Sequence, residues 1–375
     1  MHRLFLLMLL VLATPGLSAG PQVQVAAQAL VDDLAAHSAP GAAVVVLHGR
    51  QRLAAAAAGW ADEGAQVPLS TQTPLRIASV TKPYVAATLL RLAAAEGISL
   101  DSAAAGYLPD EALKLLRVGG YPVEQITLRH LLSHSAGLPD HFESLYFRAV
   151  SFLLRDWQWT ATEQVELMTG LPGPLGPPGQ RYYYSDTGYV LLGQVIETLS
   201  GQPLYAAVRE QVDFAASNLD QTWWEMFETA PPNARPRARQ YMYGLDITGL
   251  HPTVDLYGGG GLIASTRDMA RFFAALFDPS VPGGRVLRDP SLLAAMLDAN
   301  PGMPPSSNYR LGINRGTIQG MEAYTHSGFW GTLAMYLPAL DVTIAMAVTE
   351  RTALQVVYAR RGELVSAVAA SRLQE

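Results

Sequence analysis

The sequence predicts an α+β fold: one antiparallel sheet flanked by helices, assembled from both ends of the chain, with a helical insertion between its halves. Three observations carry this. Near the N-terminus, GAAVVVLHGR (41–50) and QRLAAAAAGWAD (51–62) read as two strands around a turn at His48-Gly49-Arg50. Near the C-terminus, YRLGINRG, MEAYTHSG, GTLAMYLP and DVTIAMAVTE are four strand-like runs separated by turn residues. Between these groups, residues 100–240 are helix-rich and broken by loops, an order that suits α+β. The expected organisation is a leader at 1–19, a discontinuous α/β domain from 20–101 and 241–375, and a mainly helical domain at 102–240.

The elements follow in order. Residues 22–37 read as a helix ahead of the first strands. From Ser79 to Glu96, apolar residues recur at Val80, Val85, Leu89, Leu92 and Ala93, and Gly97 supplies a stop, so this is a helix. Pro83 is harmless only in the first turn, where its missing N–H has no intrahelical partner, so the helix begins close to Ser79. LRHLLSHSAGLPD starts within a helix and leaves it at Gly137-Leu138-Pro139. LPGPLGPPGQ is a loop, and YVLLGQVIETLSG is a helix stopped by Gly201. PPNARPRAR reads as an exposed connection. After four glycines at 258–261, STRDMARFFAALF is an N-capped helix, and a last helix covers about 357–373.

Composition bounds the function. Of 375 residues, 49% are hydrophobic and 15% charged, the profile of a packed globular protein. The net charge is −6 and there is no basic patch, so nucleic acid is not an expected partner. MHRLFLLMLLVLATPGLSAG has a positive start at Arg3 and an apolar run from Leu4 to Ala13, and Leu17-Ser18-Ala19 ends in small residues. That is the three-part pattern of a secretory signal peptide cut after Ala19. The apolar run is shorter than the ~20 residues a bilayer needs. The expectation is an exported protein, periplasmic or extracellular, with no stable membrane insertion after cleavage. With no cysteine, disulfides and thiol nucleophiles are excluded.

The chemistry starts from a compositional oddity. Lys and Arg together number 26, yet only Lys82 and Lys114 are lysines. Lys82 stands three residues after Ser79, on the same helical face. A serine hydroxyl is a poor nucleophile until a base takes its proton. Arginine does not deprotonate in proteins, whereas a lysine amine can where burial and nearby positive potential disfavour the ammonium. The first turn of a helix supplies such potential. Two further stretches bear on the same chemistry. Tyr182-Tyr183-Tyr184-Ser185-Asp186 follows the Pro/Gly loop, and a loop phenol near an amine can relay protons. Tyr324-Thr325-His326-Ser327-Gly328-Phe329-Trp330-Gly331 is a strand ending in glycine, whose backbone N–H groups can polarise a carbonyl oxygen.

SVTK, YSD and HSG, in that order on helix, loop and late strand, resemble the serine β-lactamase and penicillin-binding-protein superfamily. The resemblance is to the branch that holds class C β-lactamases, D-alanyl-D-alanine carboxypeptidases, D-aminopeptidases and family VIII esterases. TLRHLLSHSAGLPD and GGGGLIASTRDMARF resemble the same group, so the likeness covers about residues 22–375. It implies a β-lactamase/transpeptidase-like fold and an acyl-enzyme on Ser79. Lys82 and Tyr184 would share proton transfer, with the base of each step left open. The N–H groups of Ser79 and Phe329 would form the oxyanion hole. Asp186, His326, Ser327 and Gly328 would bind substrate.

Two departures from the pattern bear on substrate. Asp186 stands where many members have Asn, and an ionised carboxylate only accepts hydrogen bonds. His326 replaces the Lys of typical β-lactamases, which weakens the fixed charge that would hold a penicillin carboxylate. Phe329 and Trp330 add bulk, and with Tyr183 they make an apolar acyl or peptide-like substrate the expected partner. The reading is an esterase or D-amino-acid peptidase-like hydrolase needing no cofactor. The alternatives are a β-lactamase or D-alanyl-D-alanine carboxypeptidase, and a non-catalytic binding protein on the same fold. His130 and His134, four apart on the expected helix with His141 nearby, invite a zinc reading. The H-E-x-x-H glutamate is absent, and no metal is expected. G-x-S-x-G and a Gly-Lys-Ser/Thr phosphate loop are absent too.

Overall fold

The computed structural model describes residues 20–298 and 307–372. The expected leader at 1–19 lies outside them. The strands are β1 (Gly41–His48), β2 (Gln51–Asp62), β3 (Val67–Pro68), β4 (Pro74–Arg76), β5 (Thr222–Trp224), β6 (Tyr241–Met242), β7 (Leu245–Asp246), β8 (Leu262–Ser265), β9 (Asn314–Ile318), β10 (Met321–Gly328), β11 (Thr332–Leu337) and β12 (Val342–Val348).

Seven of them form one antiparallel sheet in the order β3-β2-β1-β12-β11-β10-β9. The two ends of the chain meet at its centre, where Ala42 lies opposite Val348 and His48 opposite Val342. Alternate residues of β1 serve different cores, as the pleat requires. Val44 and Val46 pack with Leu30 and Leu34 of the helix Gly20–His37 and with Val365 and Val368 of the helix Leu354–Arg372. Val45 and Leu47 face the larger core, which contains Phe272 and Phe273 of the helix Thr266–Leu276. Each buried branched side chain contributes about 1.5–3 kcal/mol relative to exposure. β3 covers only the Trp60–Asp62 end of the outer edge of β2. Further along, the Gln24 amide hydrogen-bonds both the N–H and the C=O of Ala55, at 3.0 and 3.1 Å. The exposed edge is thereby partly blunted.

The helix at Asp186–Ser200 ends as expected on Gly201, whose φ of +65° favours glycine. Thr266–Leu276 is capped by Ser265, whose side chain accepts the Asp268 N–H. Four expectations need correction. YRLGINRG is not one strand: Gly312 takes φ +80° and β9 begins only at Asn314. The helix-rich stretch also contributes β5, which pairs with β8 and so ties it to β4 in a small three-stranded sheet. The last helix starts at Leu354, earlier than 357. LRHLLSHSAGLPD leaves its helix at Leu132, not at Gly137, because Ser133 bonds back to the Arg129 carbonyl at 2.7 Å and His134 turns left-handed at φ +54°. His130 and His134 are therefore not one turn apart on a helix.

Candidate active site

β4 leads through Ile77 into a 3₁₀ turn, Ala78–Thr81, which runs into the helix Lys82–Ala95. Ser79 thus precedes the α-helix that the sequence pattern placed it in, and Lys82 is that helix's first residue. The pair still meets, because side chains three apart eclipse in a 3₁₀ turn. Lys82 Nζ lies 2.9 Å from Ser79 Oγ. Pro83, second in the helix, forgoes no intrahelical bond. Ala78 carries φ +47°, a conformation non-glycine residues rarely hold except where the surroundings enforce it.

What enforces it is β10. Gly328 lies against the Ser79 turn so closely that a Cβ there would sit 2.0 Å from the Ile77 carbonyl oxygen. Thr332 Oγ donates to the same carbonyl at 2.9 Å. The glycine of HSG is needed for this close approach.

Lys82 is fully buried. Besides Ser79, its amine reaches Asp186 Oδ1 at 2.5 Å and the Gly259 carbonyl at 2.6 Å. Asp186 opens its helix behind the cap Ser185, whose hydroxyl is anchored on the Pro139 carbonyl at 2.8 Å. Gly259 belongs to the glycine run ahead of β8, and a Cβ on it would sit 3.2 Å from the Asp186 Cβ. The Lys82 amine lies 4.9 Å from the Tyr184 ring centroid. Burial together with the Asp186 carboxylate pushes the Tyr184 pKa well above the ordinary tyrosine value, against a smaller opposing effect of Ser79.

A cavity of about 420 Å³ brings Ser79, Tyr184, Asp186, His326, Ser327, Gly328 and Phe329 onto one surface, joined by Asp140, Phe142, Tyr182, Asn314 and Leu354. Lys82 lies beneath it. His326 is buried and neutral, its pKa lowered to about 3 by burial and by the Lys82 charge. Its Nδ1 sits 2.9 Å from the Ser327 carbonyl, which can only accept, so Nδ1 carries the proton. Nε2 then accepts from the Tyr309 hydroxyl at 2.9 Å.

Trp330 does not line the cavity. It is buried, with its indole N–H donated to Asp255 Oδ2 at 3.0 Å. Tyr183 faces a neighbouring hollow, where the Arg181 guanidinium lies 3.4 Å from its hydroxyl. The aromatic walls are instead Phe142 and Phe329, with ring centroids 5.6 Å apart.

Two carboxyl groups went unnoticed in the sequence. Asp140 lines the cavity and accepts the Phe142 and Asp186 N–H groups. Its pKa is raised to about 7 by burial and then by Asp186. Asp255 is likewise raised to about 7, by burial and then by Asp186. The D of GLPD was a usable signal for the first; nothing local marks the second. The three histidines of the zinc reading are engaged separately. His130 Nδ1 accepts the Thr127 N–H, His134 Nδ1 accepts the Ser185 N–H, and His141 Nδ1 lies 2.9 Å from Thr187 Oγ.

The chain is 27% identical over 233 residues to penicillin-binding protein 4* of Bacillus subtilis, a match covering 58% of the chain and 48% of that protein. It is 36% identical over 173 residues to the esterase EstB of Burkholderia gladioli, covering 44% of the chain and 42% of the esterase. The chain therefore matches less than half the length of either relative. Among solved structures, the D-amino acid amidase of Ochrobactrum anthropi SV3, complexed with L-phenylalanine amide, superposes with a TM-score of 0.78 at 26% identity. That match covers 93% of the chain and 99% of the amidase. With the Beta-lactamase family model matched from residue 26 to residue 368, the chain belongs to that family of serine hydrolases.

Proposed function

We propose that this protein hydrolyses esters or D-amino-acid amides through an acyl-enzyme on Ser79. The observation that carries the reading is the hydrogen-bond arithmetic at Lys82. A carbonyl oxygen can only accept, and so can an ionised carboxylate. Gly259 and Asp186 therefore each take one N–H of the amine. As –NH₂, Lys82 keeps one lone pair, and it faces the Ser79 hydroxyl at 2.9 Å. As –NH₃⁺, it donates in the same direction. Lys82 can accept the serine proton and release it again with its other two bonds unchanged, which a preorganised base needs.

Ser79 Oγ loses its proton to Lys82 and attacks the carbonyl carbon. The oxyanion is received by the N–H groups of Ser79 and Phe329. Supporting this, the Phe329 N–H has no partner among the described residues, and the Ser79 N–H falls in the first turn, where the helix ladder offers none. Tyr184, protonated at rest, gives its proton to the leaving group, and the Lys82 ammonium reprotonates it. Water then releases the acyl group by the reverse sequence.

The cavity favours some substrates over others. Among the described residues no Lys or Arg lines it, and His326 is neutral, so the lining they form offers no fixed cation to a lactam carboxylate. Phe142 and Phe329 supply apolar walls for an acyl or aryl group, and the amidase and esterase relatives point the same way. The proposed organisation keeps 20–101 with 241–375 as one domain and 102–240 as the other. Export remains part of the proposal, on the strength of the leader; a mature N-terminus other than Gly20 or its neighbours would overturn that part. The enzymatic reading is tested with a fluorophosphonate probe. Wild type takes it up and Ser79→Ala does not; no uptake by wild type, with no turnover of p-nitrophenyl esters, D-alanyl peptides or nitrocefin, sinks it.

A further inference from the structure

Tyr184 sits on an irregular segment between the Pro/Gly loop and a helix, yet its task demands a fixed phenol. No regular element fixes it. The backbone N–H groups on either side of Tyr184 instead converge on a single residue. The Tyr183 N–H donates to the carbonyl oxygen of His134 at 2.8 Å, and the Ser185 N–H donates to Nδ1 of the same histidine at 3.1 Å. The imidazole lies against the Tyr184 ring, with centroids 4.2 Å apart. Tyr309 and Tyr189 pack around the imidazole at 4.6 and 5.1 Å.

His134 holds this place at local expense. Its φ of +54° is the left-handed region, which a histidine seldom adopts. That conformation lets one residue offer both its carbonyl and its side chain to the same short segment. Because the Ser185 amide can only donate, Nδ1 must be bare and the proton lies on Nε2. Nε2 is buried and has no hydrogen-bond partner among the described residues. An unfavourable backbone and an unsatisfied N–H at one residue, only 2% exposed, mark a position kept for something other than stability.

We infer that His134 is a positioning residue for Tyr184, clamping the backbone on both sides of it and bracing its ring so that the phenol meets Ser79. The inference rests on the reading of Tyr184 as the proton-transfer group. His134 does not touch substrate, since it is absent from the cavity wall.

Two substitutions separate the clamp from general stability. His134→Asn puts Oδ1 where Nδ1 was, and Asn tolerates positive φ. His134→Gly also tolerates the backbone but removes the side-chain acceptor and the brace. On p-nitrophenyl butyrate, H134G is expected to lose about 30-fold or more in kcat with KM within about threefold, because misplacing a reacting group by ~1 Å costs on the order of 100-fold. H134N is expected to stay within about tenfold of wild type in kcat, in line with a preserved acceptor. In a Tyr184→Phe background, H134G should lower kcat little further, since it acts through the missing phenol, while its loss of Tm persists. A purely structural residue would give losses that add.

H134G retaining kcat, or H134N falling as far as H134G, overturns the inference. So does full additivity with Tyr184→Phe. Should H134G fail to fold, H134N decides alone: a loss beyond about tenfold overturns the clamp, because its acceptor is still there. Wild-type kcat in Tyr184→Phe itself is a different outcome, and defeats the underlying assignment of Tyr184 whatever His134 does.

Discussion

Two buried charge networks lie on either side of the Ser79 turn, and they are built in opposite ways. On one side, Glu225 receives Arg76 at 2.7 Å and also Arg237, and Arg76 further binds the Leu250 carbonyl. Two guanidiniums meet one carboxylate. Although burial opposes its charge, Arg76 and then Arg237 hold the Glu225 pKa below the ordinary value. On the other side, three carboxyl groups, Asp140, Asp186 and Asp255, surround the single amine of Lys82, and two of them are pushed up to about 7. The first network is electrically settled and braces β4 as it enters the Ser79 turn. The second holds protons that can leave near neutral pH. Arginine builds the first and lysine the second, and of the two only lysine can change its charge.

The sharpest way to break this contrast is Lys82→Arg, which keeps the positive charge and removes the proposed base. We expect kcat on a p-nitrophenyl ester to fall by about 10²–10⁴-fold with the acylation burst abolished. Near-normal turnover would show that the amine is not the base. Next comes Glu225→Gln, which leaves two guanidiniums without a carboxylate. It should cost about 3–5 kcal/mol in urea unfolding, while the folded fraction keeps most of its kcat. Unchanged stability would mean that the pair is not buried as described.

Asp255→Asn tests the other network through pH. The folded carboxyl keeps its proton up to about 7, whereas the unfolded one releases it near the ordinary value of 3.8. Between those values the folded state binds more protons, so the contribution of Asp255 to stability falls as pH rises through this window. Asparagine, which still accepts from Trp330, removes the effect. The variant should match wild type at pH 4 and exceed it by up to about 4 kcal/mol at pH 8. A pH-independent difference would rule the mechanism out. The smallest effects concern Asp140 and Asp186. An inflection near pH 7 in kcat/KM should vanish in Asp140→Asn. In Asp186→Asn it should move to lower pH by about one unit or less, because Asp186 is the second cause of the shift. An inflection untouched by either variant belongs to another group.

How much of this was readable beforehand depended on whether a residue acts through local spacing. The central β1–β12 pairing followed from alternating apolar runs, and Ser79 with Lys82 followed from a three-residue step that holds in either kind of helical turn. Tyr184, Asp186 and Gly328 were reached through short motifs, which the folded chain gathers around one cavity. Asp255 could not be found that way, because its pKa arises from burial beneath the glycine run and from a carboxylate 69 positions away in sequence. The early end of the helix at Leu132 was hidden for a similar reason. LRHLLSHSAG keeps helical periodicity up to Gly137, and only the tertiary demand of the Tyr184 segment explains His134 turning left-handed. The stray side chain of Trp330 was set by Asp255, which no pattern in HSGFW reveals.

The seat of Gly328 and Thr332 on Ile77 has a consequence in time. The contact joins residues 255 apart in sequence, so the Ser79 segment is synthesised long before the strand that completes its surroundings. Contacts of such separation are slow to form, since a long loop must close first. A growing or half-folded chain therefore displays its serine without Phe329 beside it and without β10 to hold Ala78 in its strained conformation. The proposed nucleophile gains its full surroundings only once these late strands have docked.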